Sequence, residues 1–158
     1  MNGIRKIMET KKLIEPKLYQ EIYENVPIAC VDILITNNNK FLLAKRTCKP
    51  AQFEWWLPGG RIWKNERLAD AASRKVKEEF GLEYPASDFN FLSCKETIFP
   101  DSNYGGPIHT VNIVYKIDLK EDPKINLDTA SHSAYTWFEK IDGSWNPYIM
   151  ELLTKAGF

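Results

Sequence analysis

The sequence predicts one mixed α/β layer domain of the α+β kind, and three observations carry that expectation. Extended apolar segments recur between polar turns along most of the chain. One long amphipathic helix stands among them, and a shorter helical stretch lies towards each end. The chain has 158 residues, 44% of them hydrophobic, which is enough for one core without metal or disulfide staples. No internal repeat, low-complexity tract or linker rich in Gly, Pro or Ser divides it.

PKLYQEIYEN has helical spacing, with Leu18, Ile22 and Tyr23 as the expected buried stripe. ACVDILI and FLLAKR read as two strands, and the polar tract Asn37-Asn38-Asn39 between them makes the pair a hairpin. WWLPGG ends a further extended segment, and GRIWKNE leads into the strongest helix, expected over Glu66 to Phe80 and stopped by Gly81. FNFLSCKE, HTVNIVYKID and AYTWF are three more extended segments, the first two joined by the turn-rich loop FPDSNYGGP. A last helix is expected after Asn146-Pro147, with Tyr148, Leu152 and Leu153 available for packing.

Composition removes several function classes. Lys and Arg number 21, as do Asp and Glu, so the formal charge is zero, and there is no electrostatic argument for a nucleic-acid or membrane-surface partner. No apolar run approaches the roughly 20 residues of a membrane helix, and MNGIRKIMETKKLIEP has no continuous apolar stretch to serve as a signal peptide. Cys30, Cys48 and Cys94 form no CxxC or Cys/His cluster, and an odd number argues against a disulfide framework. The expectation is a soluble, cytoplasmic protein.

The most informative segment is GGRIWKNERLADAASRKVKEEFGL. At about 100° per residue, Ala69, Ala72, Val76 and Phe80 share one face that should pack on a sheet, with Glu79 on its shoulder. Arg74 precedes Glu78 by one turn and Lys75 precedes Glu79 by one turn, so each charge pair can touch. On the helix alone these pairs describe a solvated, salt-bridged face. The wider spacing resembles the Nudix box, G-x5-E-x7-R-E-U-x-E-E-x-G-U with U aliphatic. Here it reads Gly60, Glu66, Arg74, Lys75, Val76, Glu78, Glu79, Gly81, Leu82, and only Lys75 departs, where the family has glutamate.

The resemblance implies an α/β/α sandwich around a central mixed β-sheet, with residues 1–25 as a helical extension and 26–158 as the Nudix domain. It implies hydrolysis of a nucleoside diphosphate linked to another group, with Mg²⁺ or Mn²⁺, since a hard cation must neutralise the diphosphate. By family correspondence Glu78, Glu79 and the backbone carbonyl of Gly59 are the metal ligands, while Arg74 and Glu66 orient helix and loop.

Outside the box, FLLAKRTCKPAQFEWWLPGGRI is similar to the GDP-mannose mannosyl hydrolase branch, chiefly in the KRT-x-x-PAQ run, the aromatic pair and PGGR. VPIACVDILI, FPDSNY and SHSAYTWF extend the similarity over about Glu15 to Phe138. That branch also lacks the first glutamate of the core, and it releases GDP and free sugar by attack of water at the anomeric carbon. The resemblance makes His132 the general base and gives Arg46 and Arg61 the diphosphate. It carries Asp32 and Lys45 into the substrate cleft, and Tyr104 is a further candidate contact on the loop. Two family positions differ: a glutamine of the metal site is Ser131, and a histidine before the FPDSNY loop is Ile98. Attack at phosphorus, on ADP-ribose, another nucleotide sugar or a nucleoside triphosphate, stays open because Glu78 and Glu79 are both present. So does a catalytically weak nucleotide-binding module. The family also implies a homodimer. His109 reads as a structural strand-edge residue, and Trp55, Trp56, Trp63 and Trp137 as core filling.

Overall fold

The computed structural model describes residues 14–158; the expectations for residues 1–13, part of the N-terminal extension, fall outside the described residues. Elements follow in the order α1 (Pro16–Asn25), β1 (Ile28–Asn37), β2 (Lys40–Arg46), β3 (Trp55–Trp56), β4 (Gly59–Arg61), α2 (Leu68–Phe80), β5 (Asn90–Phe99), β6 (Ile108–Leu119), β7 (His132–Phe138) and α3 (Pro147–Lys155). A single 3-10 turn at Ala86–Asp88 separates α2 from β5. No helix among the described residues is long and apolar enough to cross a membrane.

The strands form one mixed sheet in the order β3-β2-β1-β6-β5, with β4 also pairing β1 and β7 also pairing β2. Only β1 and β6 run parallel; the other pairings are antiparallel. The β1–β2 hairpin closes on the pair Asn37 and Lys40. Asn38 and Asn39 supply the turn at φ of 47° and 61°, left-handed backbone that asparagine tolerates and a two-residue hairpin demands.

The side-chain period of two sorts β1 between two layers. Val31, Ile33 and Ile35 pack with Ala71, Ala72, Val76 and Phe80 of α2. Leu34 packs with Tyr148, Ile149, Leu152 and Leu153 of α3. β2 divides in the same way, Leu42 and Ala44 facing α2 and Phe41 and Leu43 facing α3. The result is the expected α/β/α sandwich. Helix caps agree with the sequence: Gly81 ends α2 at φ 68°, and the Asn146 side chain accepts from the Tyr148 amide to start α3.

Two local expectations are corrected. The stripe of α1 is rotated, because Leu18 is 50% exposed while Tyr19, Ile22 and Tyr23 pack with Ile28, Cys30 and Ile108. Helix α2 starts at Leu68 rather than Glu66, because Glu66 is spent on the preceding turn: its carboxylate accepts from the Trp63 amide at 2.9 Å and from Arg74. All three cysteines are free.

Candidate active site

The site is built where β1, β4 and α2 meet. β4 runs beside β1 so that Gly59 lies opposite Asp32 and Arg61 opposite Cys30. The contact is too close for any side chain on Gly59: a Cβ there would stand 2.2 Å from Asp32 Oδ1 and 2.4 Å from the Val31 carbonyl oxygen. Gly59→Ala is therefore expected to cost about 3 kcal/mol or more by forced displacement of buried backbone, read as a fall in the midpoint of urea unfolding at unchanged slope.

Next in the chain, Glu66 and Arg74 bind the loop to the helix. Besides its two contacts with Glu66, Arg74 donates from Nη2 to the Arg61 carbonyl at 3.1 Å, and its guanidinium lies 3.9 Å from the Trp63 ring centroid. These contacts tie the Gly59–Arg61 strand and the loop after it to α2.

One turn further along α2, Glu79 is buried at 7% exposure. Its carboxylate accepts weakly from the Gly59 amide at 3.4 Å and pairs with Lys75 Nζ at 2.7 Å. The same ammonium reaches Glu78 at 3.2 Å, and Arg74 reaches Glu78 at 3.3 Å. Both charge pairs expected one turn apart are formed. Burial alone would lower the Lys75 ammonium, but Glu79 and Glu78 outweigh it and hold it above the usual lysine range. Burial outweighs Lys75, Arg46 and the Gly59 amide and raises the Glu79 carboxyl above its usual range.

On the other side of Glu79 stands His132, the first residue of β7, opposite Arg46 in the β2–β7 pairing. A register shift at Lys45/Arg46 produces that pairing, a bulge of the kind that re-aims side chains beside functional sites. His132 is 2% exposed, with Nε2 3.6 Å from Glu79 Oε2 and its ring stacked near Phe80. Neither ring nitrogen has a hydrogen-bond partner among the described residues. Burial, with Arg46 adding to it, pulls the imidazole down to about 4, so at neutral pH it is uncharged.

This burial has a consequence for stability. The unfolded histidine takes up its proton near pH 6.5 and the folded one only near pH 4, so stability is lost as pH falls through that window. Asp32, raised to about 6 by burial, acts in the opposite sense, gaining stability as pH falls below 6. Because both forms keep Asp32, comparing the chain with His132→Gln isolates the histidine. The gap between them is expected to change by on the order of 3 kcal/mol between pH 7 and pH 4. Urea unfolding in EDTA would read it, and parallel curves would contradict the neutral, buried state.

The remaining candidates form two groups that β4 links. Asp32, on the α3 side of β1, accepts a short hydrogen bond from Tyr148 Oη, and Tyr148 stacks flat on Trp56 at 5.4 Å. Arg46 donates from Nε to the Pro50 carbonyl at 2.8 Å and is close enough to favour the carboxylates of Asp32 and Glu79. Lys45 lies 5.8 Å from the Trp55 ring centroid. Arg61 stacks over Tyr19 at 4.9 Å, and Tyr104 meets Tyr19 at 5.1 Å and Tyr23 at 5.3 Å. Arg61 and Tyr104 thus share an aromatic patch, while Gly59, Lys75, Arg46 and His132 surround the buried carboxylate of Glu79, and Glu78 joins them through Lys75. His109 lies apart, its Nε2 3.0 Å from Glu96 across β5 and β6.

Sequence reasoning missed Tyr148 as the partner of Asp32 and Tyr19 as the platform for Arg61. Only the i, i+4 spacing of Tyr19 and Tyr23 hinted at the second. No group of three or more His, Cys, Asp or Glu among the described residues is arranged to hold a metal by itself. The oxygen donors available are Glu79, Glu78 and the Gly59 carbonyl. That set fits a hard cation that takes the rest of its shell from water and a phosphate, as Mg²⁺ commonly does.

Comparison with known proteins agrees with this geometry. The model of the NUDIX domain matches residues 26–146. The low-salt glycan biosynthesis protein Agl8 of Haloferax volcanii is 31% identical over 85% of each chain. An ADP-ribose pyrophosphatase of Methanocaldococcus jannaschii is 36% identical over 73% of this chain and 62% of its own length. The crystal structure of a MutT NUDIX hydrolase from Burkholderia pseudomallei superposes with a TM-score of 0.69 at 23% identity, over 83% of this chain and 98% of that one. A family model covering most of the chain, a relative matched over most of its length and a shared sandwich lead to one conclusion: the chain belongs to the Nudix hydrolase family.

Proposed function

We propose that the chain hydrolyses a nucleoside diphosphate sugar, with GDP-mannose as the substrate to try first, yielding GDP and the free hexose in the presence of Mg²⁺ or Mn²⁺. The observation that carries the reading is the buried His132, neither ring nitrogen hydrogen-bonded among the described residues, 3.6 Å from the buried carboxylate of Glu79. An imidazole with an open lone pair can accept a proton from water once opening to solvent relieves the burial that holds it near 4. Similarity to a glycan biosynthesis protein supports a sugar-bearing substrate.

When bound, the divalent cation would neutralise the diphosphate and ease departure of the nucleoside diphosphate. Glu79, Glu78 and the Gly59 carbonyl would hold it. His132 takes a proton from the attacking water, whose oxygen bonds to the anomeric carbon as the bond from that carbon to the phosphate oxygen breaks. The electron pair leaves with GDP, and Arg46 and Arg61 stabilise the charge gathered on its terminal phosphate. Asp32 and Lys45 lie on the α3 side of the same strands and would contact the sugar or nucleoside, with Tyr104 closing over it from the aromatic patch. His132 is sealed in this fold, so its use requires the Asp128–Ser131 turn, whose Asp128 carbonyl accepts from the His132 amide, to shift on substrate binding.

Chromatography of the products after incubation with GDP-mannose and Mg²⁺ tests the reading. GDP and mannose are expected, and EDTA should abolish them. GMP and mannose 1-phosphate would instead favour attack at phosphorus. That second reading has its own support, because Glu78 and Glu79 are both present and the chain is 36% identical to an ADP-ribose pyrophosphatase. ADP-ribose therefore belongs beside GDP-mannose in the assay. On either reading the domain covers residues 26–158, acts in the cytoplasm and pairs as a homodimer; light scattering would check the last of these.

A further inference from the structure

Lys75 stands where the Nudix box has a glutamate, and the fold has not left it in solvent. Its side chain is 16% exposed, against 61% for Lys77 two residues along the same helix. The ammonium sits between two carboxylates, 2.7 Å from Glu79 Oε1 and 3.2 Å from Glu78 Oε2. The neighbouring strand makes room for the stem. Gly60 has φ of 151°, and a Cβ there would approach Lys75 Cε to 3.1 Å and Nζ to 3.4 Å. A lysine on a solvated face would need no such accommodation.

We propose that Lys75 is a built-in cation in the carboxylate cradle of α2, which limits the protein to at most one divalent cation at this site. With glutamate at this position the trio would carry three negative charges. With lysine it carries one, and the affinity of an oxygen-donor site for divalent ions follows its ligand charge. The ammonium also satisfies Glu79 when no metal is bound, since a buried carboxylate with no partner is costly. Lys75 is a positioning residue in this role: it sets the number of metal ions and the state of Glu79 without touching the reacting atoms.

This inference rests on the metal site proposed above, but its test needs no turnover. The full chain, first stripped with EDTA and dialysed, is titrated with Mn²⁺ alone while free Mn²⁺ is followed by electron paramagnetic resonance. The unaltered chain is expected to bind no more than one Mn²⁺, and Lys75→Glu to bind at least one more than it. If Lys75→Glu does not fold, Lys75→Met carries the test. Loss of a neighbouring positive charge should tighten Mn²⁺ binding at least about tenfold, and its melting temperature in EDTA should fall below that of the unaltered chain and recover on adding Mn²⁺. Two or more Mn²⁺ on the unaltered chain, an unchanged count in Lys75→Glu, or unchanged affinity in Lys75→Met would overturn the proposal. Should the count rise as expected while GDP-mannose is not hydrolysed, the substrate reading falls and Lys75 keeps its role. The reverse pattern would retire Lys75 alone.

Discussion

His132→Gln is expected to lower kcat for GDP-mannose by about 10²–10⁴-fold, the usual contribution of a positioned general base, while the Kd for GDP in Mg²⁺ stays within about twofold. The two expectations separate because of where the ring lies. It is buried against Glu79 and Phe80 and makes no side-chain hydrogen bond among the described residues, so a neutral carboxamide of similar size leaves the diphosphate contacts in place. Glutamine can hold a water but cannot take its proton at neutral pH. Steady-state kinetics beside calorimetric titration of GDP reads both quantities. A variant that keeps its turnover would remove His132 as the base and return attention to Asp32, a buried carboxyl that burial raises to about 6.

Glu79→Gln is expected to reduce activity at fixed Mg²⁺ by at least about a hundredfold, above the usual loss when only a supporting partner of a ligand is removed. Two effects combine. The oxygen donor that faces Gly59 loses its charge, and the ammonium of Lys75 then lies beside the site with Glu78 as its one remaining carboxylate. The metal-free protein should also lose about 2 kcal/mol from the broken charge-assisted bond, less than a fully isolated buried charge would cost because Glu78 still holds Lys75. The Mg²⁺ dependence of the initial rate and urea unfolding in EDTA measure these in turn. Unaltered Mg²⁺ dependence would contradict Glu79 as a ligand.

Most of the architecture was legible because it rests on local chemistry. The asparagine turn at 37–39, Gly81 and Asn146-Pro147 each impose a backbone geometry that few other residues allow, and the structure has a turn, a helix end and a helix start there. Sorting by a period of two or of 3.6 then fixes which faces are apolar, and β1, β2 and α2 obey it. In α1 the same reasoning chose the wrong phase. That short helix packs at the starting ends of β1 and β6, on Ile28, Cys30 and Ile108, so its two tyrosines, drawn to Tyr104 and Arg61, settle its rotation rather than Leu18.

The candidate residues were legible as a list, and their arrangement in space was not. Spacing along α2 brings Glu79 into reach of Lys75, but nothing in the sequence says that Glu79 is buried and Lys75 half-buried beside it; the lysine stem's place depends on Gly60 lying across from it. The bulge that sets His132 opposite Arg46 leaves no mark on residue types. The bond from Tyr148 to Asp32 spans 116 positions, a distance over which composition and periodicity carry no information. Glycine contacts, strand register and long-range hydrogen bonds set how the candidate residues are arranged, and all three are properties of the folded chain.

The two readings differ in the bond that breaks. Hydrolysis of GDP-mannose with Mg²⁺ in ¹⁸O-labelled water, followed by mass spectrometry of both products, reads it directly. Unlabelled GDP with labelled hexose is the predicted result, since water adds to the anomeric carbon and leaves every phosphate oxygen untouched. GMP and a sugar phosphate, with the label on phosphate, would place the attack at phosphorus and contradict the role given to His132.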